Sequence, residues 1–258
     1  MPGPVVWCPR LALFYRGAAA VHWAVLADFD GSIAPDDPTD QLLARFARPD
    51  WLEIEAAWQA GLLSSRECIQ RQTELLRATP KAFDAMIEGV SIDPGFPAFL
   101  EFCRRHGGEV KIVSDGFDRT ISLVLRKAGL SVPFRANKLQ WLGGDKWCVA
   151  FPHCRTDCRV QGANCKCSHA SWLDRPTIVI GDGRSDFCMA ERADFVIAKS
   201  RLAEHCRIRG IRHAPFVDFH QVIDQLAAWH SRRYLTRANA CHSPLIGNLS
   251  SRREVGVT

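Results

Sequence analysis

The chain has 258 residues, of which 47% are hydrophobic and 24% are charged, and its formal net charge is +5. This length suits one full domain, or a core domain with a smaller insert, and no apolar run reaches the roughly 18 residues that predict a membrane-spanning helix. The positive charge lies at the ends, with Arg10 and Arg16 near the start and five arginines against Glu254 after residue 230. Residues 28–230 are close to neutral, which argues against a nucleic-acid-binding surface on the folded part.

The chain contains eleven cysteines, an unusually high and odd number. Several, such as Cys103, Cys188 and Cys206, lie in apolar or amphipathic segments, where a reduced cysteine behaves as a small buried hydrophobe. Disulfide frameworks are typical of small secreted chains, and Arg16 interrupts the N-terminal apolar stretch before it could form a signal-peptide core. We therefore predict a reducing, cytoplasmic location. Residues 1–21 are predicted to be a mobile extension, and their weak likeness to an organelle transit segment is the alternative.

The first half of the chain begins with one strand and continues as helices. His22–Ala27 is apolar enough to form a strand buried on both faces, and it runs directly into an Asp-rich turn at residues 28–32. Helical spacing of apolar residues follows from about residue 39 to residue 87, with an N-terminal capping box in the sequence SSRE at 64–67. This stretch is divided into short helices by Pro49, Gly61 and Pro80.

The second half alternates strands with helices and predicts a three-layer α/β/α Rossmann-like core with a parallel sheet. Three strands in the chain end in clusters of Asp, Ser and Gly, and ligands of such sheets bind outside the carboxyl ends of the strands. The expected elements are a helix at 95–106, a strand at 109–113 before Ser114-Asp115-Gly116, a helix at 118–128, a hairpin around Gly143-Gly144, a strand at 177–180 before Gly181-Asp182-Gly183, a strand at 195–198 and a last helix at 219–230.

Asp28 and Asp30 are the candidate catalytic carboxylates, because both follow a strand end and Gly31 permits the chain to turn there. A carboxylate attacks a dianionic phosphate only if a cation offsets the repulsion, and Mg²⁺ does this with carboxylate ligands. Asp182 and Asp186 could supply further ligands. Further candidate contacts to the phosphoryl group are the Lys166 charge, the Ser114 hydroxyl and the backbone N–H groups near Gly116.

The set DFDGS (28–32), SDG (114–116), Lys166 and GDGRSD (181–186) resembles the four motifs of haloacid dehalogenase-like phosphatases, in order and over residues 22–225. The resemblance implies that Asp28 forms an aspartyl-phosphate and that Asp30 acts as general acid and base. It implies that Ser114 and Lys166 bind the phosphoryl group, and that Asp28, the Asp30 carbonyl and Asp182 bind Mg²⁺, with Asp186 as a ligand or support.

The resemblance also implies a domain organisation in which a helical C1-type cap is inserted into the core. The core would comprise residues 22–33 and 106–230, the cap residues 34–105, and a disordered basic tail residues 231–258. Such a cap closes over the strand ends and excludes water, so the expected partner is a small phosphorylated metabolite, with no nucleic acid or membrane; the oligomeric state stays open. Ser32 and Gly116, and Arg66 and Arg71 of the cap, are the predicted substrate contacts.

Within this family the chain is similar to the branch that includes a methionine-salvage phosphatase acting on 2-hydroxy-3-keto-5-methylthiopentenyl-1-phosphate. Related alternatives are phosphoserine phosphatases and phosphocholine or phosphoethanolamine phosphatases. The last motif reads GDGRSDFC rather than the GDS-type form of the salvage enzyme, so the exact substrate is not transferred. A halide-removing hydrolase would not need Asp30 or Asp182, and a non-catalytic binding protein of this fold would be expected to have damaged motifs.

A cysteine cluster precedes Lys166 and allows two interpretations. Its members are Cys154, Cys158, Cys165 and Cys167, with His153 and His169 nearby. These residue types bind zinc, but their spacing departs from the paired C-x₂₋₄-C arrangement of zinc knuckles. We expect a loop of reduced thiols, and a structural zinc site is the alternative.

Overall fold

A computed structural model describes residues 23–170 and 175–240 of the chain. Its centre is a seven-stranded sheet with the order β4-β3-β2-β1-β5-β6-β7. Neighbouring strands are parallel except for the β3–β4 hairpin. The strands are β1 (Trp23–Ala27), β2 (Gly108–Phe117), β3 (Phe134–Gly143), β4 (Lys146–Ala150), β5 (Thr177–Gly181), β6 (Phe195–Ala198) and β7 (His213–Pro215).

Ten α-helices accompany the sheet in the described part of the chain. They are α1 (Pro38–Phe46), α2 (Trp51–Gln59), α3 (Ser65–Leu75), α4 (Pro80–Ile87), α5 (Phe96–Arg105), α6 (Asp118–Lys127), α7 (Lys166–Ala170), α8 (Phe187–Ala190), α9 (Ser200–Arg209) and α10 (Phe219–Ala240). None of the described helices is both long and apolar enough to cross a membrane.

The two faces of the sheet are buried in separate apolar clusters, as the period-two alternation of strand side chains requires. Val25 and Ile178 point to one face, where α5, α6 and α10 pack. Leu26 and Val179 point to the other, against α8 and α9. Because helices cover both faces, the predicted three-layer α/β/α fold with a parallel sheet is confirmed.

The helical insert between β1 and β2 has the predicted breaks. Helices α1 to α4 are separated at Pro49, Gly61 and Pro80. Ser64 and Glu67 form the predicted capping box, and the Thr79 side chain caps α4, which begins at Pro80. Both are standard devices for starting a helix.

Helix α5 packs with the core. It lies against β2 and α10. The Phe99 ring sits 5.7 Å from that of Phe96 and 5.0 Å from that of Phe219. Helix α4 also contributes Phe83 to the same core cluster, and the cap limit at residue 105 stays a prediction.

Helix α10 extends to Ala240, whereas the last helix was expected to end at His230 and a disordered tail to begin at Ser231. That expectation is wrong over 231–240, because this stretch contains no proline or glycine to end the helix and the next proline is Pro244. The rest of the predicted tail and the predicted extension over residues 1–21 lie outside the described residues.

Because α5 belongs to the core, removing the Phe99 ring should lower the stability of the protein. Phe99 is fully buried, so Phe99→Ala should lower the free energy of unfolding by about 3–5 kcal/mol. Leu52→Ala on α2, where the side chain is 57% exposed, is the matched control and should change it by less than about 0.5 kcal/mol. Urea unfolding followed by circular dichroism measures both. A loss below about 1 kcal/mol for Phe99→Ala would contradict this assignment.

Candidate active site

The site lies at the carboxyl ends of β1, β2 and β5, which are neighbours in the sheet. β1 pairs with β2 on one side and with β5 on the other. The Asp28 N–H extends the ladder by donating to the Ile180 carbonyl at 2.9 Å. Because these ends meet at one edge of the sheet, Asp28, Ser114 and Asp182 come together although they are far apart in sequence.

Lys166 is fully buried and forms two ion pairs at this edge. Its Nζ lies 2.8 Å from Asp28 Oδ1 and 2.7 Å from Asp186 Oδ1. Burial alone would lower the pKa of Lys166, but Asp186, Asp28 and Asp115 outweigh it and raise that pKa well above its ordinary value. Burial raises the pKa of Asp28, and Asp186 adds to the rise while Lys166 opposes it. Lys166 therefore stays a cation and holds Asp28 in place.

Asn164 fixes the loop that delivers Lys166. Its Nδ2 donates to the carbonyl oxygens of Ser114 and Arg135, each at 3.0 Å, and its N–H donates to Asp115 Oδ1 at 3.0 Å. These bonds tie the start of α7 to the ends of β2 and β3. The sequence analysis missed Asn164, although its position two residues before Lys166 was a usable signal.

Asp186 is fully buried, and both of its carboxylate oxygens are engaged within the protein. Oδ1 accepts from Lys166, and Oδ2 accepts from the N–H groups of Asp182 and Gly183 at 3.2 and 3.3 Å. The short 3₁₀ turn Arg184–Asp186 brings the carboxylate back under this loop. Asp186 thereby holds both the lysine and the loop that carries Asp182.

Asp182 faces the loop after β1. Its Oδ1 accepts a hydrogen bond from the Ser32 hydroxyl at 3.0 Å, so Ser32, a predicted substrate contact, is engaged with this carboxylate. Gly31 has φ +74°, and a Cβ at that position would lie 2.7 Å from Asp182 Oδ2. Only glycine meets both conditions, which explains the fourth residue of the DFDGS motif.

Asp28, Asp182 and Asp186 form a candidate metal site. One carboxylate oxygen from each lies within 4.8 Å of the others. Burial raises the pKa of Asp182 to about 6, and repulsion from the Asp186 charge adds to the rise. Oxygen ligands of this kind suit a hard divalent cation such as Mg²⁺, whose charge would relieve the repulsion. The residues present thus fit the predicted cofactor. The Asp30 carboxylate lies outside this group, and the predicted role of its carbonyl stays a prediction.

Asp30 is oriented by two separate elements. Its Oδ2 accepts from the Ser114 hydroxyl at 3.0 Å, and its Oδ1 accepts from the Thr39 hydroxyl at 2.9 Å and the Thr39 N–H at 3.3 Å. The Gly116 N–H donates to Ser114 Oγ at 2.7 Å. A Cβ on Gly116 would approach Asp30 Oδ2 to 2.3 Å, so a side chain there would displace Asp30.

A cavity of about 250 Å³ opens over these carboxylates. Seven of its nineteen lining residues are acidic, and α2 and α3 contribute an apolar part. Its lining residues are Asp28, Asp30, Asp37, Thr39, Asp40, Glu55, Trp58, Gln59, Ser65, Cys68, Ile69, Gln72, Asp115, Gly116, Asp182, Gly183, Arg184, Ser185 and Arg201. Lys166 and Ser114 are buried beneath the cavity. Lys166 contacts Asp28 and Ser114 contacts Asp30, and these two aspartates line it.

The arginines predicted from the helical insert do not line this cavity. Helix α3 presents the stripe Ser65, Cys68, Ile69 and Gln72 to it, so Arg66 and Arg71 fall on other faces. Arg66 is exposed, with Nη1 3.8 Å from Cys154 Sγ and its guanidinium over the Phe151 ring. Arg71 is also exposed. Both residues thus lie away from this cavity, and the substrate contact expected of them stays a prediction.

Two arginines of the core, Arg184 and Arg201, line the cavity instead, and neither was predicted from the sequence. Arg184 donates to the Trp58 carbonyl and lies over the Trp58 ring. Arg201 donates to Gln59 Oε1 at 3.0 Å. Both join the core to the end of α2. Arg184 stands inside the GDGRSD motif, which was a signal for it, whereas nothing local marks Arg201.

The haloacid dehalogenase-like hydrolase family model matches residues 25–191. A 2-hydroxy-3-keto-5-methylthiopentenyl-1-phosphate phosphatase of an Exiguobacterium species is 32% identical over 204 residues, covering 77% of this chain and 94% of the relative. The protein of the same name from Geobacillus kaustophilus is 31% identical over 78% of this chain and 94% of its own length.

Solved structures of similar fold include two of phosphoserine phosphatase. A phospho-aspartyl intermediate analogue has a TM-score of 0.62 at 21% identity, and a substrate-bound complex has a TM-score of 0.61 at 20% identity. Each comparison covers 79% of this chain and 98% of the other. The fold agrees with the topology described above, and the curated relatives are phosphatases. The family model matches more than half of the chain, and the curated relatives cover more than two thirds of it. The chain therefore belongs to the haloacid dehalogenase-like hydrolases.

Proposed function

We propose that this protein is a Mg²⁺-dependent phosphatase that hydrolyses a small phosphomonoester, with Asp28 as nucleophile and Asp30 as general acid and base. The observation that carries the proposal is the position of Asp28, which is paired with buried Lys166 and lies beside Asp182 under an open cavity. Asp30 lines the same cavity two residues further along. A halide-removing enzyme would leave Asp30 and Asp182 without a role.

In the first step, a carboxylate oxygen of Asp28 attacks phosphorus and the bond from phosphorus to the ester oxygen breaks. Asp30 donates a proton to that leaving oxygen, which departs as an alcohol. Ser114 and Thr39 hold the Asp30 carboxyl from both sides, which fixes the direction of the transfer. The product of this step is an aspartyl-phosphate on Asp28.

In the second step, the Asp30 carboxylate takes a proton from water, and the resulting hydroxide attacks phosphorus. The bond between phosphorus and the Asp28 oxygen breaks, which releases phosphate and restores Asp28. Lys166 offers its charge to the phosphoryl oxygens and opposes the rise in the pKa of Asp28, and Asp186 positions Lys166. Ser114 would donate to a phosphoryl oxygen by exchanging its hydrogen bond to Asp30 Oδ2 for one to the phosphate.

Asp28 and Asp182 would hold the magnesium ion, with Asp186 beneath them as support because both of its oxygens are already engaged. When bound, the ion neutralises the charge of the phosphate and orients it toward Asp28. Ser32 donates to Asp182 and would thereby orient this ligand.

The inserted helices act as a cap and limit the substrate to small molecules. Helices α2 and α3 supply Trp58, Cys68 and Ile69 to the cavity. The bonds of Arg184 and Arg201 to the end of α2 hold these helices over the strand ends. An enclosure of this kind would exclude water other than the attacking molecule, and a folded protein substrate would not fit beneath it.

Two substrate classes fit the lining. The apolar patch of Trp58 and Ile69 suits the methylthio group of the phosphate named for the curated relatives. The acidic side chains of Asp37, Asp40 and Asp115 instead favour a cationic ammonium group, as in phosphoethanolamine or phosphocholine. The substrate panel below decides between the two classes.

Asp28→Asn should abolish phosphate release, because an amide is neither a nucleophile nor a counter-charge for Lys166. We expect a loss of at least about a thousandfold in kcat with saturating Mg²⁺. The panel is 2-hydroxy-3-keto-5-methylthiopentenyl-1-phosphate, phosphoethanolamine, phosphocholine and phosphoserine. Asp36→Asn, the same change at an exposed position of the next loop, is the control. Wild-type rates in Asp28→Asn would refute the mechanism, and no release from any panel member by the wild type would count against these substrates.

Asp30→Asn should separate the two chemical steps. With p-nitrophenyl phosphate, whose leaving group needs no proton at neutral pH, the variant should release about one equivalent of nitrophenol per site and then slow sharply. The pause follows because no base remains to activate water. Stopped-flow absorbance measures the burst, and linear release at the wild-type rate would show that Asp30 is not the base.

Asp182→Asn should weaken the use of magnesium by raising the Mg²⁺ concentration for half-maximal activity at least about tenfold. Ser32→Ala should raise it less, because it removes only a hydrogen bond to the ligand. The measurement is activity of EDTA-treated protein titrated with Mg²⁺, with Asp36→Asn as control. An unchanged Mg²⁺ requirement in Asp182→Asn would remove this residue from the metal site.

A further inference from the structure

Four buried cysteines form a compact cluster directly behind the Lys166–Asp186 pair. Cys158, Cys165 and Cys167 come from the loop before α7 and the helix itself, and Cys188 comes from α8. All four are at most 7% exposed. The phosphatase mechanism uses none of them.

Three of their sulfur atoms lie at the spacing of ligands around one ion. The Sγ atoms of Cys158, Cys165 and Cys167 all lie within 4.8 Å of one another, and those of Cys165 and Cys167 are 3.6 Å apart. Cys188 packs in the same buried cluster as these three residues. In tetrahedral zinc sites the Zn–S distance is about 2.3 Å, so neighbouring sulfurs lie about 3.8 Å apart.

We propose that Cys158, Cys165, Cys167 and Cys188 bind a structural Zn²⁺ ion. This set differs from the one considered from sequence, because Cys154 is replaced by Cys188. Cys154 Sγ faces Arg66 at 3.8 Å. His169 Nε2 is engaged with Asn164 Oδ1 at 2.8 Å.

The surroundings suit a tetrathiolate site. Four thiolates around Zn²⁺ carry a net charge of about −2. Arg155, Arg159 and Arg192 line the recess around these sulfurs together with Asp157, which pairs with Arg155. The Gly162 N–H donates to Cys158 Sγ at 3.4 Å. A hydrogen bond of this kind stabilises a thiolate more than a thiol. A cluster serving only as apolar packing would require neither feature.

The site would act on the catalytic lysine through the backbone. Lys166 lies between two of the ligands, Cys165 and Cys167, and Asp186 lies two residues before the ligand Cys188. One ion would therefore fix both partners of the Lys166–Asp186 pair relative to each other. This positioning role rests on the proposed phosphatase function, whereas the binding of zinc does not.

Zinc content of the full chain, purified from zinc-supplemented cells without chelators, tests the binding. We expect about one Zn²⁺ per chain by elemental analysis, retained through gel filtration in excess Mg²⁺. Cys188→Ser and Cys165→Ser should lower the occupancy at least tenfold after dialysis against a mild chelator. Cys154→Ser should leave it unchanged. In the wild type loaded with Co²⁺, the visible spectrum should show thiolate-to-metal charge transfer that Cys188→Ser weakens.

The proposal would be overturned if the wild-type protein contained no zinc and all four thiols of this cluster could be titrated. This test does not depend on whether the variants fold. Full occupancy in Cys188→Ser, or loss in Cys154→Ser, would also overturn the proposal. Removal of zinc from the wild type should then lower the phosphatase rate at saturating Mg²⁺ at least tenfold, with recovery on adding Zn²⁺. A zinc-bound protein that releases no phosphate from any substrate would refute the proposed function while the metal site stood.

Discussion

The arrangement of the site depends on one buried cation. Lys166 has no access to water, so its charge is tolerable only because Asp28 and Asp186 lie within 2.8 Å of its Nζ. The same pairing fixes the Asp28 carboxylate, whose pKa is raised by burial and by Asp186. The lysine is thus a structural counter-ion to the proposed nucleophile before any substrate arrives, and a divalent cation between Asp28 and Asp182 would complete the balance of charge.

The strand order of the sheet brings the residues of the site together. β1 lies between β2 and β5, so the loops after these three strands converge at one edge. Lys166 begins α7 and follows no strand directly, and its position depends on Asn164 and on the cysteine loop. The loop before α7 contains no strand. The proposed zinc ion would explain how this loop fixes Lys166 closely enough for its ion pairs with Asp28 and Asp186.

The fold and the centre of the site could be predicted from sequence because their signals are local. Asp28 and Asp182 each follow an apolar strand, Ser114 lies near the carboxyl end of another, and the parallel sheet brings such ends together. The structure differs from the sequence-based expectation where packing between distant segments decides. Arg66 and Arg71 are plausible anion contacts by type, but the rotation of α3 directs Cys68 and Ile69 to the cavity instead.

Arg201 and Cys188 were not marked as site residues for the same reason. Each lies on a helix of ordinary composition, and only the tertiary fold brings Arg201 to Gln59 and Cys188 to Cys167. Helix α5 likewise follows the inserted segment in sequence while its aromatic face belongs to the core. Sequence order indicates which elements exist, and the buried faces decide which of them belong together.

The central claim is that Asp28 carries the phosphoryl group between the two steps. The most direct measurement is to acid-quench the wild type during turnover with Mg²⁺ and locate the phosphoryl group by peptide mass spectrometry. The account predicts an acid-stable, base-labile acyl phosphate on the peptide that contains Asp28. Phosphoryl transfer to another residue, such as Ser114, would contradict it, as would turnover without any phosphorylated peptide.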